Sequence, residues 1–302
     1  MGISYPPLTG ITAWIALVPL IRIWLNSTPR QAAKFSYLAA VTSNLIFLYW
    51  IGLNQGAGWL PVLGSLFGAI FYLSIFWAAL GFVVAWIHGK KGWGLICLPF
   101  LWVTMELIRS WGPMGFSWAN IAVTQTKFLA LIQMVEYTGT GGLGFWIILL
   151  NAGFYLLLTQ ERKKYTVFKI FILFIIPWIS GYIQLYSIQP VSPENVRKVS
   201  IVQPNINPSA KWDSAFRSEL YSIMDSLHLI ALESKPDLIL WPEVSLPVYL
   251  RHSVQRKKYE AIVEKSGIPL LTGTLDWKKN EQGEKLYYNG SIYLGKEGNQ
   301  IY

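Results

Sequence analysis

A single cysteine, Cys97, in 302 residues rules out an internal disulfide framework and any metal site built from several cysteines. Charge is scarce as well. Only 14% of the residues are Asp, Glu, Lys or Arg, against about a quarter in a soluble globular protein, which argues against an ordinary cytosolic enzyme. Acidic side chains are most depleted in the first part of the chain: residues 1–186 hold 3 acidic and 11 basic side chains, and residues 187–302 hold 13 and 14. The formal net charge of +9 therefore arises mostly in an apolar stretch. It does not lie on a polar face that phosphates could reach, so nucleic-acid binding is disfavoured. Two unlike domains are implied, one apolar with a basic tint and one soluble and nearly neutral. Metal-ligand clusters and nucleotide loops are missing too. Gly139-Thr140-Gly141-Gly142-Leu143-Gly144 has the glycines of a phosphate cradle but precedes an apolar run instead of joining a strand to a soluble helix. No cofactor is expected.

What the chain does have is apolar residues, 53% of the total, with 15 Trp, 16 Tyr and 15 Phe. The apolar part breaks into six segments near the length of about 20 helical residues that a bilayer core requires, approximately 11–25, 35–53, 62–87, 93–108, 143–158 and 167–186. Their recurrence excludes a cleaved signal peptide, and the Trp and Tyr residues near their ends favour spans over buried core helices. Orientation follows from the short loops, because those rich in Lys and Arg stay in the cytoplasm. Arg30 and Lys34, Lys90 and Lys91, and Arg162, Lys163 and Lys164 lie in the odd-numbered connections, whereas the even-numbered ones carry only Arg109 and Lys127. The soluble part is then expected outside, after an N-terminus also outside, which implies a missing preceding helix or a re-entrant first segment.

Within the apolar part, Glu106 and Arg109 are three apart on one helical face, either as a structural ion pair or as a site for a lipid headgroup. Gly64 and Gly68 have the small-xxx-small spacing that allows close helix approach. Cys97 is expected to be an inert core residue, with no base within a helical turn.

Ser187 to Asn195 reads as a linker, because Pro190 and Pro193 stop a helix. Beyond it the pattern is β-α-β-α-β-β, an α/β layered domain. Val196–Val202 alternates as a half-buried strand, and Asp213 or Ser214 can cap a helix with Phe216, Leu220, Ile223, Leu227 and Ile230 on one stripe. Asp237–Trp241 is a continuous apolar run read as a strand buried on both faces. A helix over 252–265 ends at Gly267, and strands at Leu270–Thr274 and Leu286–Leu294 lead through Lys296-Glu297-Gly298-Asn299 into a last strand that reaches Tyr302. Trp241-Pro242-Glu243 places a carboxylate where a strand delivers the chain to a loop, a position suited to chemistry. Burial beside Trp241 would raise its pKa and make it a general base; the alternative is a solvated loop glutamate.

These features resemble the bacterial apolipoprotein N-acyltransferases, polytopic membrane enzymes with a nitrilase (carbon–nitrogen hydrolase) domain. The resemblance runs over nearly the whole chain. It rests on Tyr5-Pro6-Pro7, Ala16-Leu17-Val18-Pro19-Leu20, Glu106-Leu107-Ile108-Arg109-Ser110-Trp111, Gly115-Phe116-Ser117-Trp118, Val202-Gln203-Pro204-Asn205-Ile206, Lys211-Trp212-Asp213, Trp241-Pro242-Glu243 and Tyr288-Asn289-Gly290. It implies a polytopic α-helical membrane domain (1–186), a linker (187–195) and an incomplete α/β nitrilase-like domain, an αββα sandwich cut part way (196–302), in the bacterial inner membrane with the second domain on the periplasmic side. The implied reaction moves an acyl chain from a phospholipid to the N-terminal amine of diacylglyceryl-cysteine in an apolipoprotein, through a Glu-Lys-Cys triad and a thioester. Glu243 matches the base of that triad, and Trp212 matches an aromatic residue near the substrate pocket, its alternative being a packing tryptophan. The triad lysine is expected about two residues beyond Tyr302, and the cysteine further on. These residues are therefore expected to be a fragment, inactive alone. A membrane-tethered nitrilase-type amidase and a non-enzymatic membrane scaffold are the alternatives.

Overall fold

A computed structural model describes residues 1–54, 57–159, 163–189, 192, 194, 196–296 and 298–301. The chain falls into two compact units, Met1–Gln189 and Pro190–Tyr302. Arg162, Glu297, Tyr302 and part of the expected linker lie outside the described residues.

The first unit is helical: α1 (Val18–Asn26), α2 (Pro29–Phe47), α3 (Trp59–Lys91), α4 (Gly94–Arg109), α5 (Leu129–Ile132), α6 (Val135–Thr159) and α7 (Lys163–Ser187). Among the described residues, three segments, α3, α6 and Lys164–Ser187 of α7, are long and apolar enough to cross a membrane. The other three apolar segments form shorter or more polar helices. The first is a 3-10 turn at Gly10–Trp14 followed by the nine residues of α1, and α4 has 16 residues. The second differs most from its expected bounds, 35–53. A capping box at Thr28, in which Gln31 N–H donates to Thr28 Oγ1 and Thr28 N–H to Gln31 Oε1, starts α2 at Pro29, and a 3-10 turn at Tyr49–Leu53 follows its end. The glycines of the Gly139–Gly144 run lie in α6, which is broken at Gly139 (φ 64°).

Buried polar side chains bind the irregular backbone of this unit. Asn151, fully buried in α6, accepts from Leu17 N–H at 2.8 Å and donates to Ala13 O at 2.8 Å, so it holds the entry to α1. Gln125 donates to Gly10 O at 3.1 Å and accepts from Trp14 Nε1 at 2.9 Å. Backbone groups in an apolar setting have no water to turn to, and these amides take its place.

Helix approach occurs at Gly81, where a Cβ would lie 2.1 Å from Ser36 Oγ and 2.7 Å from Trp24 Nε1. Those two atoms are themselves bonded at 2.6 Å, joining α1 to α2. At Gly64 and Gly68 a Cβ would meet nothing within 4 Å, so the small-xxx-small spacing marks no close contact within the described residues. Cys97 is half-buried on α4 and not a core residue.

The second unit holds β1 (Val199–Ile201), α8 (Pro208–Lys211), α9 (Arg217–Glu233), β2 (Leu238–Trp241), α10 (Val254–Ser266), β3 (Leu270–Lys279), β4 (Lys285–Gly295) and β5 (Gly298–Ile301). The five strands form one mixed sheet in sequence order, with β1, β2 and β3 parallel and β3, β4 and β5 antiparallel. The core gathers Leu220 and Met224 of α9 and Tyr259 and Val263 of α10 with Ile239, Trp241, Leu270, Ile292 and Leu294 of the sheet. Every second residue of β2 is buried and the others are intermediate, so the strand is buried on one face, against helices, and not on both. Val199 and Ile201 of β1 are exposed.

Three further expectations are corrected. The buried stripe of α9 runs Leu220, Met224, His228, four apart, while Ile230 is exposed. Asp213 and Ser214 do not cap that helix: its N-cap is Phe216, and Asp213 Oδ1 instead accepts from Ala215 N–H in the preceding turn. β3 runs five residues past Thr274, because its outer half pairs with β4 as a hairpin as far as Lys279 and Lys285. Gly267 does close α10 with a left-handed cap (φ 73°).

His228 stands edge-on to Trp241, with ring centroids 5.4 Å apart. Neither of its ring nitrogens has a hydrogen-bond partner, and burial pushes its pKa below the ordinary value, with Asp225 opposing. The unfolded chain then binds a proton more readily than the folded one. Stability of this unit is expected to rise with pH from His228's lowered folded pKa up to its ordinary value near 6.5, and to level off above. Hydrogen exchange of α9 and β2 amides between pH 5 and 7 checks this, and His228→Leu is expected to flatten the profile. In the first unit, Gly81→Ala is expected to destabilise by about 1–3 kcal/mol through overpacking. Gly64→Ala should leave the melting temperature in detergent unchanged or slightly raised.

Candidate functional site

Glu243 stands two residues beyond the end of β2, on the turn Pro242 to Ser245. Trp241 is turned into the core, where its ring meets Tyr259 at 4.8 Å and 80°. Pro242 and Glu243 are exposed. The expected burial of Glu243 beside Trp241 is therefore not found: the strand's alternation sends the tryptophan inward and leaves the carboxylate accessible.

The turn is held from three sides. Val244, next in the chain, is buried with φ 46°, a left-handed conformation that strains a β-branched residue. Ser245 Oγ–H donates to Pro242 O and receives Thr272 Oγ1–H at 3.5 Å. Beneath the loop lies Gly273 of β3, where a Cβ would sit 2.7 Å from Glu243 Cα and 3.2 Å from Val244 N. Only a residue without a side chain lets the two backbones come so close.

Two side chains from other elements meet Glu243. The Asn289 side-chain amide, on β4, donates to its carboxylate Oε1. Lys211, the last residue of α8, extends Nζ to within 3.4 Å of Glu243 O. Burial lowers the Lys211 pKa, and the Glu243 charge acts the other way. Trp212, the residue after α8, is 59% exposed, so it does not pack the core, and its ring is available to a ligand. The arrangement offers an accessible carboxylate oriented by an amide, with an ammonium beside its main chain. Such a carboxylate can accept a proton from a group brought over the turn.

Sequence reasoning singled out Glu243 and Trp212 and missed the contacts of Lys211 and Asn289, although both stand in quoted motifs. It also missed Gly273. A glycine inside a strand, as in Thr272-Gly273-Thr274, is the usual mark of close backbone approach and could have pointed to it.

The polar pair of the first unit has a different character. Glu106 and Arg109 are 4% and 2% exposed and 3.5 Å apart. Glu106 Oε1 also accepts from Ile121 N–H at 2.7 Å, and Arg109 Nη2 donates to Asn120 Oδ1 at 2.8 Å. These contacts pin the segment after α4, which makes the pair structural and leaves it no open face for a lipid headgroup. Among the described residues, no group of three or more His, Cys, Asp or Glu is placed to hold a metal ion.

The family model for the apolipoprotein N-acyltransferase N-terminal domain matches residues 1–153. The chain belongs to the apolipoprotein N-acyltransferase family. Among curated apolipoprotein N-acyltransferases, that of Geobacter metallireducens is 28% identical over 97% of this chain and 58% of its own length. Those of Chlorobaculum tepidum and Rickettsia prowazekii are 27% and 28% identical over the full chain and 59% and 61% of their own lengths. The chain thus spans somewhat under two thirds of the apolipoprotein N-acyltransferases it matches. The family model lies within the first unit, and the similarity to the relatives continues across the second.

Gly273→Ala is expected to push the Glu243 turn off β3 and to cost about 1–3 kcal/mol, read as faster hydrogen exchange in β2 and β3. Asn289→Ala, which removes one exposed amide, should leave that exchange near wild type.

Proposed function

We propose that the protein is an N-acyltransferase of lipoprotein maturation, transferring an acyl chain from a phospholipid to the N-terminal amine of diacylglyceryl-cysteine in an apolipoprotein. One observation carries this reading. In a chain of this family, the Trp241-Pro242-Glu243, Lys211-Trp212-Asp213 and Tyr288-Asn289-Gly290 motifs, distant in sequence, converge on Glu243, through Lys211 on its carbonyl and Asn289 on its carboxylate. In the proposed mechanism Glu243 is the general base of a Glu-Lys-Cys triad. It takes the proton of a cysteine thiol, the thiolate attacks the phospholipid ester, and the lysine steadies the oxyanion. The proton then leaves with the lysophospholipid alcohol. In the second half the substrate amine attacks the thioester, Glu243 takes the amine proton, and it passes to the departing thiolate. Trp212 is proposed to line the substrate pocket.

The second unit is proposed as part of a nitrilase-like domain, following a membrane domain over 1–186 and a linker over 187–195. The membrane is taken to be the bacterial inner membrane with the nitrilase-like part on the periplasmic face. Of the proposed triad, residues 1–302 are assigned the base alone, and by themselves they are proposed to be inactive. Cys97, on α4 of the first unit, is not assigned the role of nucleophile.

The test uses the protein encoded by the complete reading frame, reconstituted with phospholipid and a diacylated lipopeptide. Glu243→Gln is expected to lower acyl transfer by about 10²–10⁴-fold, the range of general base catalysis, with Glu243→Asp retaining part of it. Transfer by Glu243→Gln at the wild-type rate, or ammonia release from amides in place of acyl transfer, would overturn the assignment.

A further inference from the structure

The outer half of the β3–β4 hairpin carries a feature that the candidate base does not use. Its pairs Leu275↔Asn289, Trp277↔Tyr287 and Lys279↔Lys285 alternate along the ribbon, so these six residues share one face. That face begins at Asn289, beside Glu243, passes an aromatic pair and ends at two lysines. The lysines stand directly opposite one another, an arrangement that repels unless an anion comes between them. Both are exposed, as is Lys278 beside them.

Nearby carboxylates offset this charge only in part: Lys278, Lys279 and Lys285 against Glu281 and Glu284 leave the tip net positive by one. Asp276 is buried and engaged by Arg251 at 3.1 Å and His252 at 3.3 Å. Glu284 is drawn onto the turn by Asn280 Nδ2 at 3.0 Å. Only Glu281 stands at the tip without such an engagement among the contacts described. Of the aromatic pair, Tyr287 is open and Trp277 is half-buried. Tyr287 is 65% exposed, with its ring 6.0 Å from that of Tyr249. Trp277 stacks on His252 at 4.2 Å and lies 4.2 Å beneath Lys285 Nζ.

An exposed tyrosine and a half-buried tryptophan next to ammonium groups match the chemistry of a bilayer interface, where rings sit at headgroup depth and ammonium groups meet phosphate. The same polypeptide carries three helices long and apolar enough to cross a bilayer, so covalent linkage keeps a lipid surface at high effective concentration. We propose that the outer end of the β3–β4 hairpin is a docking surface for the anionic headgroups of a bilayer, with Lys279 and Lys285 as phosphate contacts and Trp277 and Tyr287 as interfacial anchors. The proposal stands whether or not Glu243 acts as a base.

The experiment places the full chain, with Cys97→Ala, in nanodiscs and attaches a nitroxide at Gln282→Cys in the hairpin turn. A second label at Lys265→Cys, near the end of α10, reports an aqueous position. Collision with oxygen against a water-soluble nickel chelate measures immersion. In discs containing phosphatidylglycerol the label at 282 is expected to be immersed relative to that at 265, and less so in pure phosphatidylcholine. Each lysine at an anionic surface favours docking by about fivefold, so Lys279→Glu with Lys285→Glu should lose at least that, and the double arginine variant should keep it. A label at 282 that stays aqueous in anionic discs overturns the proposal. So does immersion indifferent to lipid charge and to the lysines, or a label immobilised yet open to the nickel chelate, which would mark a protein partner. Both lysines are exposed at a turn, so misfolding does not confound the outcome; unchanged hydrogen exchange in α10 verifies it.

Discussion

A peptide group cut off from water has to find its partner inside the protein, and this constraint sets where the polar side chains of both units stand. In the first unit the regular helices satisfy themselves, and the difficulty lies in the turns around them. Asn151 serves Leu17 N–H and Ala13 O, Gln125 serves Gly10 O, and Glu106 serves Ile121 N–H. Each is buried, and each supplies to an irregular segment what water would supply elsewhere. In the second unit Leu250 N–H, also buried, is met by Thr274 Oγ1 at 3.2 Å. The neighbouring residues follow from these choices, because an amide or carboxylate committed to backbone fixes the path of the chain it holds.

At the candidate site the same accounting gives a different result. The main chain of the Glu243 turn is secured by Gly273 below it, by Ser245 within it and by Lys211 beside it. Its carboxylate is not spent on backbone. It is exposed and touched by one amide, that of Asn289. A side chain whose backbone is over-determined while its functional group stays accessible is placed to act on a ligand, since orientation costs nothing at the moment of encounter. The strained φ of Val244 belongs to this picture, because such strain persists where surrounding contacts hold it.

How far the sequence revealed this depended on whether the signal was local. Six apolar helices lie near the six apolar runs, because hydropathy is a property of consecutive residues. Their bounds shifted where capping chemistry extends beyond the apolar part, as at Thr28 and Pro29, and at Lys90 and Lys91 of α3. Whether a run is long and apolar enough to cross a membrane was less legible, since α1 and α4 are apolar but short. Strand positions in the second unit were readable, yet β3 outran its apolar core because Leu275–Lys279 are held by cross-strand pairing with residues further along the chain. His228 was unreadable as a core residue: a histidine four residues after Met224 carries no apolar signal, and only the packing of Trp241 and Tyr259 places it inside. The site motifs were visible one by one, but their convergence was not, because it depends on the register that sets Asn289 opposite Leu275 and on a loop that brings α8 back to β2.

Two glutamates with similar sequence credentials illustrate what structure adds. Glu106 and Glu243 both stand in motifs, and both are flanked by aromatic or basic residues that invite a functional reading. Their surroundings separate them. Glu106 has its Oε1 between Ile121 N–H and Arg109 in a site closed to solvent, and removing it would leave a peptide N–H unanswered and the buried guanidinium with Asn120 alone. Such a residue is held in place by architecture and is closed off from a substrate. Glu243 is the reverse, fixed through its main chain and open at its acid group. For a polar residue in an apolar chain, the informative quantity is therefore neither its charge nor its motif but how much of its hydrogen-bonding capacity the fold has already consumed. By that measure the open carboxylate is the one at the strand end of the second unit, and Glu106 belongs to the scaffold.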